Sequence, residues 1–263
     1  MKKVLSAILA LTLCASMLAG CGNSDTSSAA SEGSASDSSA STTSESSASQ
    51  ESSASEESSE ASAEGTSASG PITVVSREDG SGTRGAFVEL IGVVDEEDND
   101  MTTVDATISN STEVVIQTVA GNTGAIGYIS LGSLDDTVKG VNIDGVEPTA
   151  ENIENGTYTV SRPFNVATKG ELQNEAAQDF MNYIMSEEGQ AIVAEDYIPV
   201  SGVEPFESNG ASGSVTVSGS SSVSPLMQKL IEGYNTVNPN VSIELQTSDS
   251  TTGMTDAING MSD

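Results

Sequence analysis

The chain has 263 residues, with 39 acidic against eight basic side chains and a formal net charge of −31, and it contains no histidine and no tryptophan. So acidic a surface repels nucleic acid and anionic lipid, and neither is expected as a partner. The lack of histidine removes the usual general base, and with it the Ser-His and Cys-His nucleophile systems and the common zinc ligand sets. No enzyme, metal or cofactor chemistry is therefore expected.

The N-terminus reads MKKVLSAILALTLCASMLAGC, two lysines followed by an apolar stretch and small residues that end at a cysteine. It is an export signal, too short and wrongly flanked for a membrane span. Leu18, Ala19, Gly20 and Cys21 have the form of a bacterial lipobox, with cleavage before Cys21 and a lipid on its thiol. The expected location is extracytoplasmic, on the outer face of the bacterial cell membrane and touching it only through the lipid. An ordinary cleaved signal with a stray cysteine is the alternative. In this lipoprotein signal, residues 1–21 with the lipobox cysteine, Cys14 would leave on cleavage and Cys21 would be alkylated, so no disulfide remains possible. Residues 22–70 are almost wholly Ser, Ala, Glu, Thr and Gly. A tract of this kind cannot bury enough apolar surface to offset its ordering entropy, and it is expected to be a disordered tether.

Setting aside the tether's nine carboxylates and the signal's two lysines leaves 30 acidic and six basic side chains, net −24, on residues 71–263. There PITVVS predicts a strand and AFVELIGVV a packed helix, with VDEEDND an exposed turn. TEVVIQTVAGNTGAIGYISLGSL predicts a helix or strand and then a glycine-punctuated buried strand, and TYTVSRPFNVAT predicts strands interrupted at Pro163. Ala177, Phe180, Met181, Ile184 and Met185 recur at helical spacing and predict a core-facing stripe. After a linker, ESNGASG, Val215 and Val217 alternate as in a strand. A helix follows with Leu226, Met227, Leu230, Ile231 and Tyr234 on one face, Ser224 as its N-cap and Pro225 in its first turn. Val241, Ile243 and Leu245 predict another strand, and Met254, Ile258 and Met261 another helix. Strand, loop and helix alternate, so the class is α/β with a largely parallel sheet.

Three strand-to-helix loops share one chemistry: EDGSGT, GSSSVS and SDSTTG are small, hydroxyl-bearing and glycine-containing. Unpartnered N–H groups and the positive end of the helix dipole suit an oxyanion at such a junction. Arg77 adds a charged fork, which Asp79 would brace. Plain helix capping explains any one of these loops taken alone. Gly80, Gly82 and Gly85 also spell G-x-G-x-x-G, but the acidic residues some twenty positions on lie in a turn rather than at a strand end, which disfavours a dinucleotide site. A P-loop is excluded because no Gly-Lys-Ser/Thr follows.

SREDGSGTRGAFVEL, NTGAIGYISL, VSRPFNVATKGE and VSGSSSVSPLMQKLIEGYNTVNPNVSIELQTSDSTTGM together resemble the phosphate-binding lipoproteins of bacterial phosphate ABC transporters. The resemblance implies a periplasmic-binding-protein-like type II fold, in which two α/β lobes with mixed, largely parallel sheets close over one phosphate. On it, residues 71–207 form the lobe carrying the first loop and 208–263 an incomplete second lobe. It also implies that Arg77, Ser81, Gly82, Thr83, Ser221, Ser222 and Ser250 bind phosphate, with Asp79 supporting. The partners it implies are inorganic phosphate and the permease and ATPase subunits of an ABC transporter. A receptor for sulfate or molybdate, or a surface signalling or adhesive protein on the same fold, remains the alternative.

Two features depart from that pattern. The GSSSVSPL unit follows SREDGSGTRG instead of preceding it, as in a circular permutation, and Thr247, Ser248 and Asp249 replace three glycines of the third loop. The resemblance also implies that the pattern runs on past Asp263 into an apolar strand and a proton-accepting carboxylate, so continuation of the reading frame is expected. A neighbouring copy supplying that part is the alternative.

Overall fold

The computed structural model describes residues 70–263, so the export signal, Cys21 and the tether up to residue 69 lie outside the described residues. β1 (Thr73–Arg77) is the centre of a three-stranded sheet of order β2-β1-β3, with β2 spanning Thr107–Ser109 and β3 Ala125–Ile126. Both pairings are parallel, and the register sets Arg77 opposite Ser109. Parallel pairing requires a crossover between strands. α1 (Gly82–Ile91) and α2 (Thr112–Ala120) supply the crossovers, burying Val88 from one and Val115 and Ile116 from the other.

β4 (Gly213–Ser220) and β5 (Val241–Ser248) form a second parallel pair, joined by α6 (Ser224–Val237), and β5 leads into α7 (Ser250–Asn259). α6 buries Leu226, Met227, Leu230 and Tyr234, the stripe its spacing predicts. Ser224 is the first helical residue and Val223 the cap, one position away from the expected arrangement. Ser224 Oγ instead donates to the Ser220 carbonyl at 3.2 Å and bonds Thr247 Oγ1 at 2.8 Å, tying the loop after β4 to β5.

α3 (Ala150–Glu154) is a short surface helix, whereas α4 (Glu175–Ile184) and α5 (Glu187–Val193) carry much of the core. Ser186 divides these last two: its Oγ donates to the Tyr183 carbonyl at 2.7 Å and accepts from Gly189 N at 3.2 Å. The break leaves Met185 exposed, outside the predicted stripe, and Tyr183 takes a core position in its place. Ala176, Ala177, Phe180, Tyr183 and Ile184 pack with Val215, Leu226, Met227, Leu230, Tyr234 and Val241 in one cluster. α4 and α5 thus precede residue 207 in sequence and share their core with the elements that follow it.

Two expectations fail locally. TYTVSRPFNVAT forms no strand. Pro163 withholds a ladder donor, and Phe164 packs onto the core cluster rather than onto a sheet. α7 carries Met254 and Ile258 but ends at Asn259 with Gly260 as its cap, so Met261 lies beyond it, and all three side chains are more than half exposed. Met254 lines a cavity of about 400 Å³ whose apolar walls include Phe180, Met181, Val215, Val217 and Leu245.

Candidate functional site

Four helices start just beyond the C-terminal ends of parallel strands: α1 after β1, α2 after β2, α6 after β4 and α7 after β5. Such ends are where open α/β sheets place their ligands, because unpaired first-turn N–H groups gather there.

Arg77, the last residue of β1, is wholly buried. Its Nε and Nη2 lie 2.9 Å from Glu78 Oε2 and Oε1, a two-pronged ion pair. Nη2 also donates to Ser221 Oγ at 3.0 Å, and Nη1 donates to Ser222 Oγ at 3.2 Å and Thr112 Oγ1 at 3.3 Å. Thr83 Oγ1 bonds Ser222 Oγ at 2.7 Å, and Thr112 Oγ1 bonds the same oxygen at 3.1 Å. One guanidinium therefore holds hydroxyls from the starts of α1, α2 and α6 in a single cluster. Tyr128 supports it from behind, its hydroxyl 2.7 Å from Ser76 Oγ and accepting from Arg77 N at 3.1 Å, with its ring stacked on Phe87 at 4.1 Å.

The loop into α7 meets the loop into α1 directly. Gly80 has φ of +88°, and a Cβ there would stand 2.6 Å from Asp249 Oδ1, so only glycine fits this approach. Thr251 N donates to the Gly80 carbonyl at 3.2 Å. A Cβ on Gly82 would overlap Ser250 Oγ, which sets the first residues of α1 and α7 face to face. Asp249 caps α7 by accepting from Thr252 N at 2.9 Å. Burial opposes its ionisation, yet the Thr252 side chain and the backbone N–H groups of Thr252 and Thr251 outweigh that and hold its carboxyl below the ordinary range.

Arg77, Thr83, Ser221 and Ser222 are thus joined by hydrogen bonds, and Gly82 and Ser250 lie together beside them. Ser81 is buried in the same loop and also caps α1, its Oγ accepting from Arg84 N at 3.3 Å. Ser222 reaches the cluster through its hydroxyl rather than its N–H, which donates to Ser220 Oγ at 3.3 Å.

Asp79 does not brace Arg77. Its side chain is 97% exposed and bonds Arg84 Nη1 at 2.8 Å, while Arg84 Nε bonds Asp100 Oδ2 at 2.6 Å. Glu78 takes the bracing role because, one residue beyond Arg77, its carboxylate stays within reach of the buried fork. Two residues went unseen in the sequence. Thr112 follows SNS, a hydroxyl-rich stretch before an apolar helix that matches the other three loops. Arg162 lines the cavity together with Gly82, Ser220 and Ser250, and no local pattern announces it.

The sequence profile of the PBP superfamily domain matches residues 31–188. Over 203 residues, 75% of this chain and 69% of the relative, 47% of positions are identical to phosphate-binding protein PstS 2 of Streptococcus agalactiae. The protein of the same name from Streptococcus pneumoniae is 44% identical over 194 residues, which make up 72% of this chain and 66% of the relative. The fold superposes with a TM-score of 0.57 on the crystal structure of a phosphate ABC transporter's phosphate-binding protein from Streptococcus pneumoniae, at 42% identity, covering 74% of this chain and 77% of that one.

Proposed function

The chain belongs to the PBP superfamily, and from that premise we propose that it captures inorganic phosphate outside the cytoplasm for the permease and ATPase of an ABC transporter. The observation that carries this reading is the convergence of hydroxyls from three helix starts on the buried guanidinium of Arg77. A tetrahedral oxyanion needs donors from several directions, and rotating hydroxyls supply them without backbone movement. First-turn N–H groups of α1 at Gly82 and Thr83 have no partner within their own helix and point where an anion is favoured. Ser81, Ser221 and Ser250 add hydroxyls at the same helix starts, and Arg77 adds charge-assisted bonds. The relatives named above are phosphate-binding proteins, which favours phosphate over other oxyanions.

In this role the protein binds its solute and performs no reaction on it. Attachment through Cys21 would hold the receptor near the permease, with residues 22–70 as the tether. Titration calorimetry of the full chain with phosphate, sulfate and molybdate tests the proposal. Heat with phosphate alone supports it; binding of sulfate or molybdate in preference reassigns the receptor to that anion, and no heat with any of the three removes the transport reading.

A further inference from the structure

Arg77 brings no net positive charge to the site, because its charge is already paired. Glu78 accepts from both Nε and Nη2 of Arg77 at 2.9 Å, so the pair carries no net charge. The starts of α1, α2, α6 and α7 contribute only partial charges, of roughly +0.5 each, so without a further cation a doubly charged phosphate would meet no uncompensated full positive charge.

Of the other basic side chains among the described residues, only Arg162 both lacks a partner and lines the cavity. Arg84 is held by Asp79 and Asp100, and Lys229 by Glu195 and Asp196. Lys169 donates to the Ile258 carbonyl, and Lys139 is exposed and lines no part of the cavity. Arg162 has no hydrogen-bond or ion-pair partner among the described residues. Its Nη2 stands 3.4 Å from the position a Cβ would take on Gly82, and that same position abuts Ser250. The residue is exposed overall, but burial on the cavity side lowers the basicity of its guanidinium. A cation partly stripped of water without a counter-charge is unfavourable by itself, and an anion beside it offsets that loss.

We infer that Arg162 is the second cation of the site, a ligand that supplies the positive charge the neutral Arg77–Glu78 pair withholds and favours doubly charged tetrahedral anions. The inference rests on the phosphate reading proposed above. It also gives the exposed segment around Pro163 a function: proline holds the backbone there extended, and the chain delivers Arg162 to the starts of α1 and α7.

The test is calorimetric titration of the full chain with inorganic phosphate at several salt concentrations, using wild type, Arg162→Gln, Arg162→Ala and Arg162→Lys. Removing the charge should weaken binding at least about tenfold, and lysine should restore part of that loss. The slope of log affinity against log salt should be shallower for the glutamine and alanine variants. Melting temperatures without phosphate should match wild type, since Arg162 has no described partner to lose. Affinities within twofold of wild type for both neutral variants overturn the inference and leave the phosphate reading intact, whereas a wild-type chain that takes up no phosphate overturns both.

Discussion

Among the described residues two charged side chains are wholly buried, Arg77 and Asp179, and their surroundings differ in kind. Asp179, on α4, accepts from Asn209 N at 2.6 Å, Tyr234 Oη at 2.8 Å, Ser208 Oγ at 2.9 Å and Asn238 Nδ2 at 3.0 Å. These donors come from α6, its C-cap and the linker before β4, and two of them, the Tyr234 phenol and the Asn238 amide, are buried in the core. Arg77 instead spends two donors on one flexible carboxylate, sharing Nε with the Ser109 carbonyl at 3.3 Å, and turns the rest toward hydroxyls, groups that can rotate and accept or donate. A buried charge ringed by fixed partners is a joint of the scaffold; one ringed by rotors is poised to take a ligand. The first region should therefore be read in stability and the second in affinity.

The largest effect is expected at Asp179. Replacing it with alanine would strand the Tyr234 hydroxyl and the Asn238 amide in the core, a loss on the order of 3 kcal/mol. The melting temperature should fall by about 6–12 °C, using the entropy scaling for a domain of this size. Phosphate affinity of the remaining folded protein should not move, and a fall in affinity with intact melting would break the contrast. Acid sharpens the same point. Burial works against ionisation of Asp179, but its four donors outweigh that and hold the carboxyl below its ordinary value of 3.8. The stability it contributes is present above that value and is lost as the pH falls through the lower folded-state value. Asp179→Asn should show a flatter loss of stability below about pH 4, followed by circular dichroism.

Arg77→Ala is the matching experiment in the other region. Phosphate affinity should drop at least about tenfold, because the fork donates charge-assisted bonds to Ser221, Ser222 and Thr112 at once. Arg77→Lys should recover little of it, since an ammonium keeps the charge but cannot span those oxygens. If either variant merely melts earlier and binds phosphate as before, Arg77 belongs with Asp179 as scaffold.

How far each region could be read from sequence follows from the range of its contacts. Strands and helices were legible where their period was local, as in Val215 and Val217 or the α6 stripe, and so were hydroxyl loops that precede helices. What escaped depends on contacts distant in sequence. Glu78 rather than Asp79 beside Arg77 is decided by how β1 leaves the sheet, and both acidic residues look equivalent in the string SRED. The Asp179 hub joins residues 29 to 59 positions apart, and its aspartate sits unremarkably in an amphipathic helix. Residues 157–168 form no strand although their sequence suggests one, because β-branched residues signal a sheet even where Pro163 denies one a ladder.

The smallest expected effect is also the sharpest discriminator between rotors and fixed partners. Thr112 touches the site by one hydroxyl, 3.3 Å from Arg77 Nη1 and 3.1 Å from Ser222 Oγ, and its methyl-bearing side chain is otherwise buried at the start of α2. Thr112→Val keeps the shape and removes that hydroxyl, so α2 should retain its packing while one acceptor for Arg77 disappears. Phosphate affinity should fall about threefold to tenfold, in the range of one ordinary hydrogen bond, and Thr112→Ser should restore it. A scaffold role predicts the opposite pattern, in which valine and serine both shift the melting curve and leave the titration unchanged. Because Thr112→Val leaves the Arg77–Glu78 and Arg84–Asp79 pairs in place, an affinity loss without a stability loss locates the receptive part of the molecule in the hydroxyls themselves.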